Sequence, residues 1–137
     1  MFVVIDTNVL VSAFWKADSK PAAIVDFMLH GKIIPCYNSE ILLEYSEVLK
    51  REKLAFSLDK IHWVMDKIVA VGNEVIVKQS NFQMADESDR KFYDVAKNCE
   101  GFLITGNKKH FPNEPFVISP AEFLNNHIAH APQTGRS

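Results

Sequence analysis

Carboxylates at three places along the chain can meet in one crevice. Asp6 directly follows a short apolar run, Glu44 lies inside a helix-like segment, and Asp89 belongs to an acidic group at residues 86–94. Converging carboxylates repel each other and raise one another's pKa, and a hard divalent cation such as Mg²⁺ or Mn²⁺ relieves that repulsion. Such a site suits hydrolysis of a phosphodiester, because the cation lowers the pKa of a bound water and offsets charge on the phosphoryl group.

Glu44 is the carboxylate of its helix that we expect to lie near the rest of the fold. At about 100° per residue, one apolar arc is formed by Ile41, Leu42, Tyr45, Val48 and Leu49. Glu44 stands at the edge of this arc, whereas Glu40 and Glu47 point well away from its centre. A lone Glu at a helix margin is usually just half exposed, so this assignment depends on the other carboxylates.

Each of these features also has an ordinary structural explanation. Asp6 can cap the helix that follows it. The polar turn at residues 105–107 can simply end a strand. The acidic group at residues 86–94 surrounds a helix start, where negative charge favours the helix dipole, and Arg90 and Lys91 partly neutralise it. No one of these features establishes a site.

The elements that must position these residues alternate between strands and helices. Strands are predicted at residues 2–5, 33–37, 75–77, 102–104 and 116–118. Helices are predicted at residues 9–15, 21–30, 39–51 (capped by Ser39), 57–72, 89–98 and 120–127, with a polar loop over 78–88. The alternation predicts an α/β fold with a mainly parallel sheet of four to five strands and helices on both faces. In such sheets the reactive crevice lies beyond the C-terminal ends of the strands.

Length and composition predict one soluble domain. The 137 residues are 47% hydrophobic, and we expect a single domain over residues 1–128 with a disordered tail at 129–137. The formal net charge of −2 argues against a domain that wraps duplex DNA by bulk charge alone. Cys36 and Cys99 lack CxxC spacing and are expected to be reduced thiols. No apolar run approaches the roughly 20 residues of a membrane helix, and the start is unlike a signal peptide, so we expect no membrane association and a cytoplasmic location.

Four segments, in this order, resemble the motifs of PIN domains. Residues 3–10 (VVIDTNVL) resemble the opening strand with the first metal-binding Asp, and residues 39–51 resemble the helix with the second acidic residue. Residues 86–96 resemble the third acidic region, and residues 102–111 resemble the last motif, a strand followed by Thr-Gly-Asp or a variant. The resemblance extends over residues 2–124, and the order and spacing of all four motifs make it specific.

The resemblance implies a three-layer α/β/α PIN-like sandwich and a Mg²⁺- or Mn²⁺-dependent endoribonuclease. It implies Asp6, Glu44 and Asp89 as the catalytic metal-binding carboxylates, with Asp86 the main competitor for the third place. Asn107 stands where many family members carry a fourth Asp. An Asn can bind a cation through its carbonyl oxygen but contributes no charge, so metal affinity can fall.

Residues near this cluster are expected to hold RNA or to orient the metal ligands. Lys108, Lys109 and His110 directly follow the last motif and can contact phosphates, which positions a strand without reading its sequence. Thr105 can contact substrate or orient a ligand or a water, and Asn8 can orient one from the first turn of its helix. Solvated surface, a strand end and a helix cap are the ordinary explanations of these residues.

The subgroup that the chain resembles consists of VapC-type toxins of type II toxin–antitoxin systems. These proteins cut RNA, are inhibited by an antitoxin and often form homodimers, so RNA, an antitoxin and a second copy are the implied partners. A catalytically weak RNA- or protein-binding module stays open, because Asn107 is uncharged. A haloacid-dehalogenase-like phosphatase is disfavoured, since it needs a second Asp where Asn8 stands, and a receiver domain is disfavoured because Lys78 follows the third strand.

Overall fold

The centre of the computed structural model, which describes residues 1–128, is a sheet of five parallel strands. The strands are β1 (Phe2–Ile5), β2 (Ile34–Tyr37), β3 (Asn73–Glu74), β4 (Phe102–Ile104) and β5 (Val117–Ile118). Their order across the sheet is β3-β2-β1-β4-β5, with every neighbouring pair parallel. Val3, Val4 and Ile5 are buried, as expected of a central strand covered on both faces.

Six helices connect and cover these strands, which confirms the predicted three-layer α/β/α fold. They are α1 (Thr7–Trp15), α2 (Lys20–Leu29), α3 (Ser39–Leu49), α4 (Leu58–Val71), α5 (Arg90–Cys99) and α6 (Pro120–Phe123), the last continued by a π-helical turn, Leu124–Ile128. Short 3₁₀ turns occupy Glu52–Leu54, Glu87–Asp89 and Lys108–His110. The tail predicted at residues 129–137 lies outside the described residues.

The strand order places a topological switch point between β1 and β4. The chain first builds outward from β1 through β2 to β3, and then returns through α5 to add β4 and β5 on the other side of β1. In open parallel sheets, the crevice beyond the strand ends at such a reversal is where ligands bind. Asp6 and Thr105 directly follow the two strands that meet there.

Two local predictions were wrong. Helix α3 is capped by Asn38, whose side chain accepts a hydrogen bond from the Ile41 N–H at 2.9 Å, and not by Ser39, which is already helical. The third strand is Asn73–Glu74 rather than residues 75–77. The β-branched residues at 75–77 indicated a strand. The Val75 N–H still donates to the carbonyl of Tyr37, but the chain then leaves the edge of the sheet, and Ile76 is 95% exposed.

None of the helices within residues 1–128 has the length and apolar character of a membrane span. Cys36 and Cys99 are free thiols; Cys36 is buried and Cys99 is half-buried.

Candidate active site

Asp6 lies at the C-terminal end of β1, inside the switch-point crevice. Its N–H donates to the carbonyl of Ile104 at 3.0 Å, which extends the pairing of β1 with β4 by one residue. Its side chain is 7% exposed and does not cap α1. Instead, Oδ2 accepts a hydrogen bond from the Thr105 hydroxyl at 2.7 Å. The carboxylate is therefore directed toward the end of β4, and helix capping does not account for it.

The turn after β4 is built to hold this carboxylate. Thr105 is fully buried, and its hydroxyl oxygen also accepts from the N–H of Asn107 at 3.0 Å. The N–H of Gly106 donates to Asn8 Oδ1 at 3.2 Å, so α1 fixes the turn from the other side. Thr105 was expected among the substrate contacts. Its burial and its bond to Asp6 favour the other expectation, that Thr105 orients a ligand.

Glu44 projects from α3 toward the same crevice. Its Oε2 accepts from the Thr7 hydroxyl at 2.5 Å, and its Oε1 forms an ion pair with Lys91 Nζ at 2.7 Å. Helix α3 is positioned by Tyr45, whose buried hydroxyl donates to the carbonyl of Ile5 at the end of β1. The contacts of Glu44 thus come from α1 and α5, and its helix is anchored to the central strand.

Asp89 enters the crevice from the start of α5. Its Oδ2 is buried and has no hydrogen-bond partner within residues 1–128, and His110 Nδ1 lies 3.9 Å from it. Asp86, its competitor in the sequence, is exposed, and its Oδ1 accepts from the N–H of Ser88 at 2.9 Å. Asp86 therefore caps a 3₁₀ turn, whereas Asp89 presents a buried oxygen with nothing bound to it.

The pKa values indicate that the three carboxylates are close enough to interact. Burial, together with the charges of Asp89 and Glu44, raises the pKa of Asp6 from 3.8 to about 6, although hydrogen bonds from Thr105 and Thr7 act to lower it. Burial also raises the pKa of Asp89, and the charges of Asp86 and Glu44 add to this effect. Three elements therefore bring like charges together at a free-energy cost, as in sites that bind a cation.

The donor set fits a hard divalent cation. In the conformation described, no three His, Cys, Asp or Glu side chains within residues 1–128 surround a common point closely enough to hold a metal. Glu44 is turned toward Lys91 and Thr7, which accounts for one missing ligand. The side chains of Asp6, Glu44 and Asp89 nevertheless supply only oxygen donors, and the orphaned Oδ2 of Asp89 lacks the partner that a buried oxygen needs. This chemistry matches Mg²⁺ or Mn²⁺.

The residues of the last motif occupy different places. The amide nitrogen Nδ2 of Asn107 contacts His110 Nε2 at 3.0 Å, so this contact does not involve the carbonyl oxygen that was predicted as a ligand. Lys108 pairs with Glu122 of α6 at 3.0 Å, and Lys109 is exposed. Of the three residues expected to contact RNA, His110 is the one that also approaches the carboxylates.

Sequence reasoning gave no role at the site to Thr7 or Tyr45, and it treated Lys91 only as a neutralising charge. Thr7 directly follows Asp6, and a hydroxyl at the first helical position was the available signal. Tyr45 appeared only as an apolar residue of its helix, although a buried tyrosine needs a partner for its hydroxyl. The pairing of Lys91 with Glu44 joins two helices, and no local sequence pattern predicts it.

Comparison with known proteins identifies one family. A sequence model of the family described as "PIN domain" matches residues 2–109, a range that includes Asp6, Glu44, Asp89 and Asn107. An uncharacterized protein of Methanocaldococcus jannaschii is 31% identical over 109 residues, which cover 77% of this chain and 70% of the relative. No solved structure gives a significant match.

Proposed function

The chain belongs to the PIN domain family, and from this premise we propose that it is a divalent-metal-dependent endoribonuclease. Members of this family have a nuclease-like fold, and many are metal-dependent ribonucleases. The observation that supports the proposal most is the meeting of Asp6, Glu44 and Asp89 at the switch point of the sheet, close enough that their charges raise the pKa of Asp6.

In this proposal the three carboxylates hold the cation, and Asn107 can add its carbonyl oxygen. When bound, Mg²⁺ or Mn²⁺ would lower the pKa of a water and offset charge on the phosphoryl group. We place Asp89 rather than Asp86 in the third position, because Asp86 is exposed and already caps a turn.

The other residues of the crevice act by orientation. The Thr105 hydroxyl fixes one oxygen of Asp6, and the Thr7 hydroxyl fixes one oxygen of Glu44. Such outer contacts set the direction of a ligand, and their loss typically costs 10- to 100-fold in metal affinity or activity in metal sites generally. Lys109 and His110 lie where they can contact the phosphates of a bound strand, which would position it without selecting a sequence.

Cleavage of a mixed pool of structured RNAs tests the proposal. We expect purified protein to cut RNA with Mn²⁺ or Mg²⁺ and not with EDTA, and we expect Asp6→Asn to abolish the activity because it removes a charged ligand. Asp66→Asn, on the exposed face of α4, is the matched control and should cut like the wild type. Cutting that persists in EDTA or in Asp6→Asn would contradict the proposal.

A binding module with little catalytic power is the second candidate. It is favoured by the neutral Asn107, whose amide contacts His110, and by the pairing of Glu44 with Lys91. The Lys91 contact occupies a Glu44 oxygen that a cation would use, whereas Asn107 contacts His110 through its amide nitrogen, which leaves the neutral charge of Asn107 as its contribution to this candidate. RNA binding without cleavage in any divalent metal would support this candidate over the nuclease.

A toxin of a type II toxin–antitoxin system is the biological role we propose, with an antitoxin and a second copy of the chain as partners in a cytoplasmic setting. Its support is the resemblance of the motifs to toxin members of the family. Induced expression in a bacterium should arrest growth for the wild type and not for Asp6→Asn at equal protein level. Unimpaired growth with active, soluble wild-type protein would speak against the toxin role while leaving the nuclease proposal intact.

A further inference from the structure

A lysine lies among the carboxylates of the candidate site. Lys91 Nζ is 2.7 Å from Glu44 Oε1 and also donates to the carbonyl of Ser88. Its side chain is only 13% exposed, although a lysine normally extends into solvent. The ammonium is thus held in place between α5 and α3.

The position of Lys91 in its helix does not explain this placement. Lys91 is the second residue of α5, and the N-terminal end of a helix carries partial positive charge that disfavours a cation. The ion pair with Glu44 offsets this unfavourable position. The contact is therefore a property of the site rather than of the helix.

The charge of the crevice suggests what Lys91 does there. The three proposed ligands, Asp6, Glu44 and Asp89, carry three negative charges when ionised, and the ammonium of Lys91 offsets one of them; Asp86, whose charge also acts on Asp89, is exposed and screened by solvent. The remainder equals the charge of one divalent cation. Asn107 adds no charge, so a second divalent ion would leave an excess of positive charge in a half-buried crevice.

We propose that Lys91 supplies the positive charge of a second cation, so that the site binds a single divalent ion. This inference rests on the proposed metal-dependent function and specifies its metal stoichiometry. The single hydrogen bond from Thr7 leaves a lone pair on Oε2 of Glu44 for one ion, whereas a second ion at Glu44 would have to displace the ammonium from Oε1. Lys91 is in this sense a positioning residue: it fixes Glu44 and sets how many ions the carboxylates can hold.

Counting bound Mn²⁺ tests the proposal without reference to activity. Electron paramagnetic resonance measures free Mn²⁺ during titration of the full chain, and its signal gives the number of ions bound. We expect one ion per chain for the wild type, for the charge-preserving Lys91→Arg, and for the control Lys97→Gln, an exposed lysine on the same helix. We expect two ions per chain for Lys91→Gln. The first of them should bind about tenfold more tightly than the single ion of the wild type, because the substitution removes the positive charge beside it.

The outcomes separate this inference from the function on which it rests. Two ions in the wild type, or one ion with unchanged affinity in Lys91→Gln, would overturn the role of Lys91 even if Asp6-dependent cleavage holds. Absence of Mn²⁺ binding by the wild type at millimolar concentration would overturn the metal-dependent function and this inference together. Lys91→Met, neutral and of similar length, takes the place of Lys91→Gln if circular dichroism shows that the glutamine variant is unfolded.

Discussion

Asp6 makes the stability of the metal-free protein depend on pH. Its pKa is about 6 in the folded state against 3.8 ordinarily, mainly because the carboxylate is buried. A raised folded-state pKa means that the native protein holds the proton more tightly than the unfolded chain does. The resulting stabilisation is fully present below pH 4 and is lost as the pH rises through 6. A shift of this size corresponds to roughly 3 kcal/mol in the free energy of unfolding.

We therefore expect Asp6→Asn to stabilise the metal-free protein at neutral pH while removing its activity. The amide keeps an acceptor for Thr105 but cannot ionise. Urea unfolding in EDTA should give the variant a free energy of unfolding higher by about 2–3 kcal/mol at pH 7.5, with little difference at pH 4. An equal difference at both pH values would show that ionisation of Asp6 is not the cause.

The acidic residues could be proposed as ligands from sequence, but their contacts could not be predicted. Asp6 and Glu44 could be singled out because strand ends and helical periodicity tell which face of an element a residue occupies, whereas Asp89 was implied by the resemblance of its segment to a PIN motif, with Asp86 as the competitor. Periodicity does not tell what a side chain touches across the fold. Thr105 was therefore expected either to contact substrate or to orient a ligand, and only the fold shows that its buried hydroxyl donates to Asp6.

At the scale of elements, the start of a helix was predicted correctly because a local capping contact sets it. The position of an edge strand was predicted wrongly because pairing with a neighbouring strand sets it. Helix α4 begins after Ser57, as its sequence indicated, because the serine side chain accepts from the N–H of Lys60. Strand β3 was misplaced because a run of β-branched residues favours a strand, whereas hydrogen bonding to β2 fixes where the strand lies. An edge strand has one neighbour, so its ends are set by that neighbour rather than by its own composition.

The loop before α5 shows how an irregular segment can position a functional residue. Arg90 donates to the carbonyls of Ser80 and Phe82, and the buried Asp94 accepts from the N–H of Ser80. These contacts fasten the loop to the first turns of α5, next to Asp89. The sequence showed this segment only as polar and aperiodic, because contacts of this kind have no repeating pattern.

At the scale of the whole molecule, the fold gathers mutually repelling carboxylates at the C-terminal ends of the central strands. β1 and β4 are the strands at the reversal of the winding, and the crevice at their ends collects carboxylates from β1, α3 and α5. The net charge of the chain is −2, so bulk attraction of RNA is not available to it. In the proposed function, binding of RNA would then depend on a cation in the crevice and on the few basic residues beside it.

A cation that fills this crevice should raise the stability of the entire domain. A ligand that binds only the folded state at 100 times its dissociation constant adds about 2.7 kcal/mol to the free energy of unfolding. For a chain of 137 residues this is an increase of about 9 °C in Tm. The increase should be smaller at pH 5.5 than at pH 7.5, because a proton with a pKa of about 6 competes with the cation for Asp6.

Thermal unfolding with and without Mn²⁺, at constant ionic strength, measures this coupling. Wild type and Asp66→Asn should show the full increase in Tm. Asp6→Asn should show little or no increase, because it lacks the charged carboxylate of Asp6 at the point where β1, α3 and α5 bring the proposed ligands together. If the increase is equal in all three proteins, the cation binds elsewhere on the surface. If millimolar Mn²⁺ produces no increase in the wild type, the carboxylates do not hold a metal, and the binding module becomes the better account of the crevice.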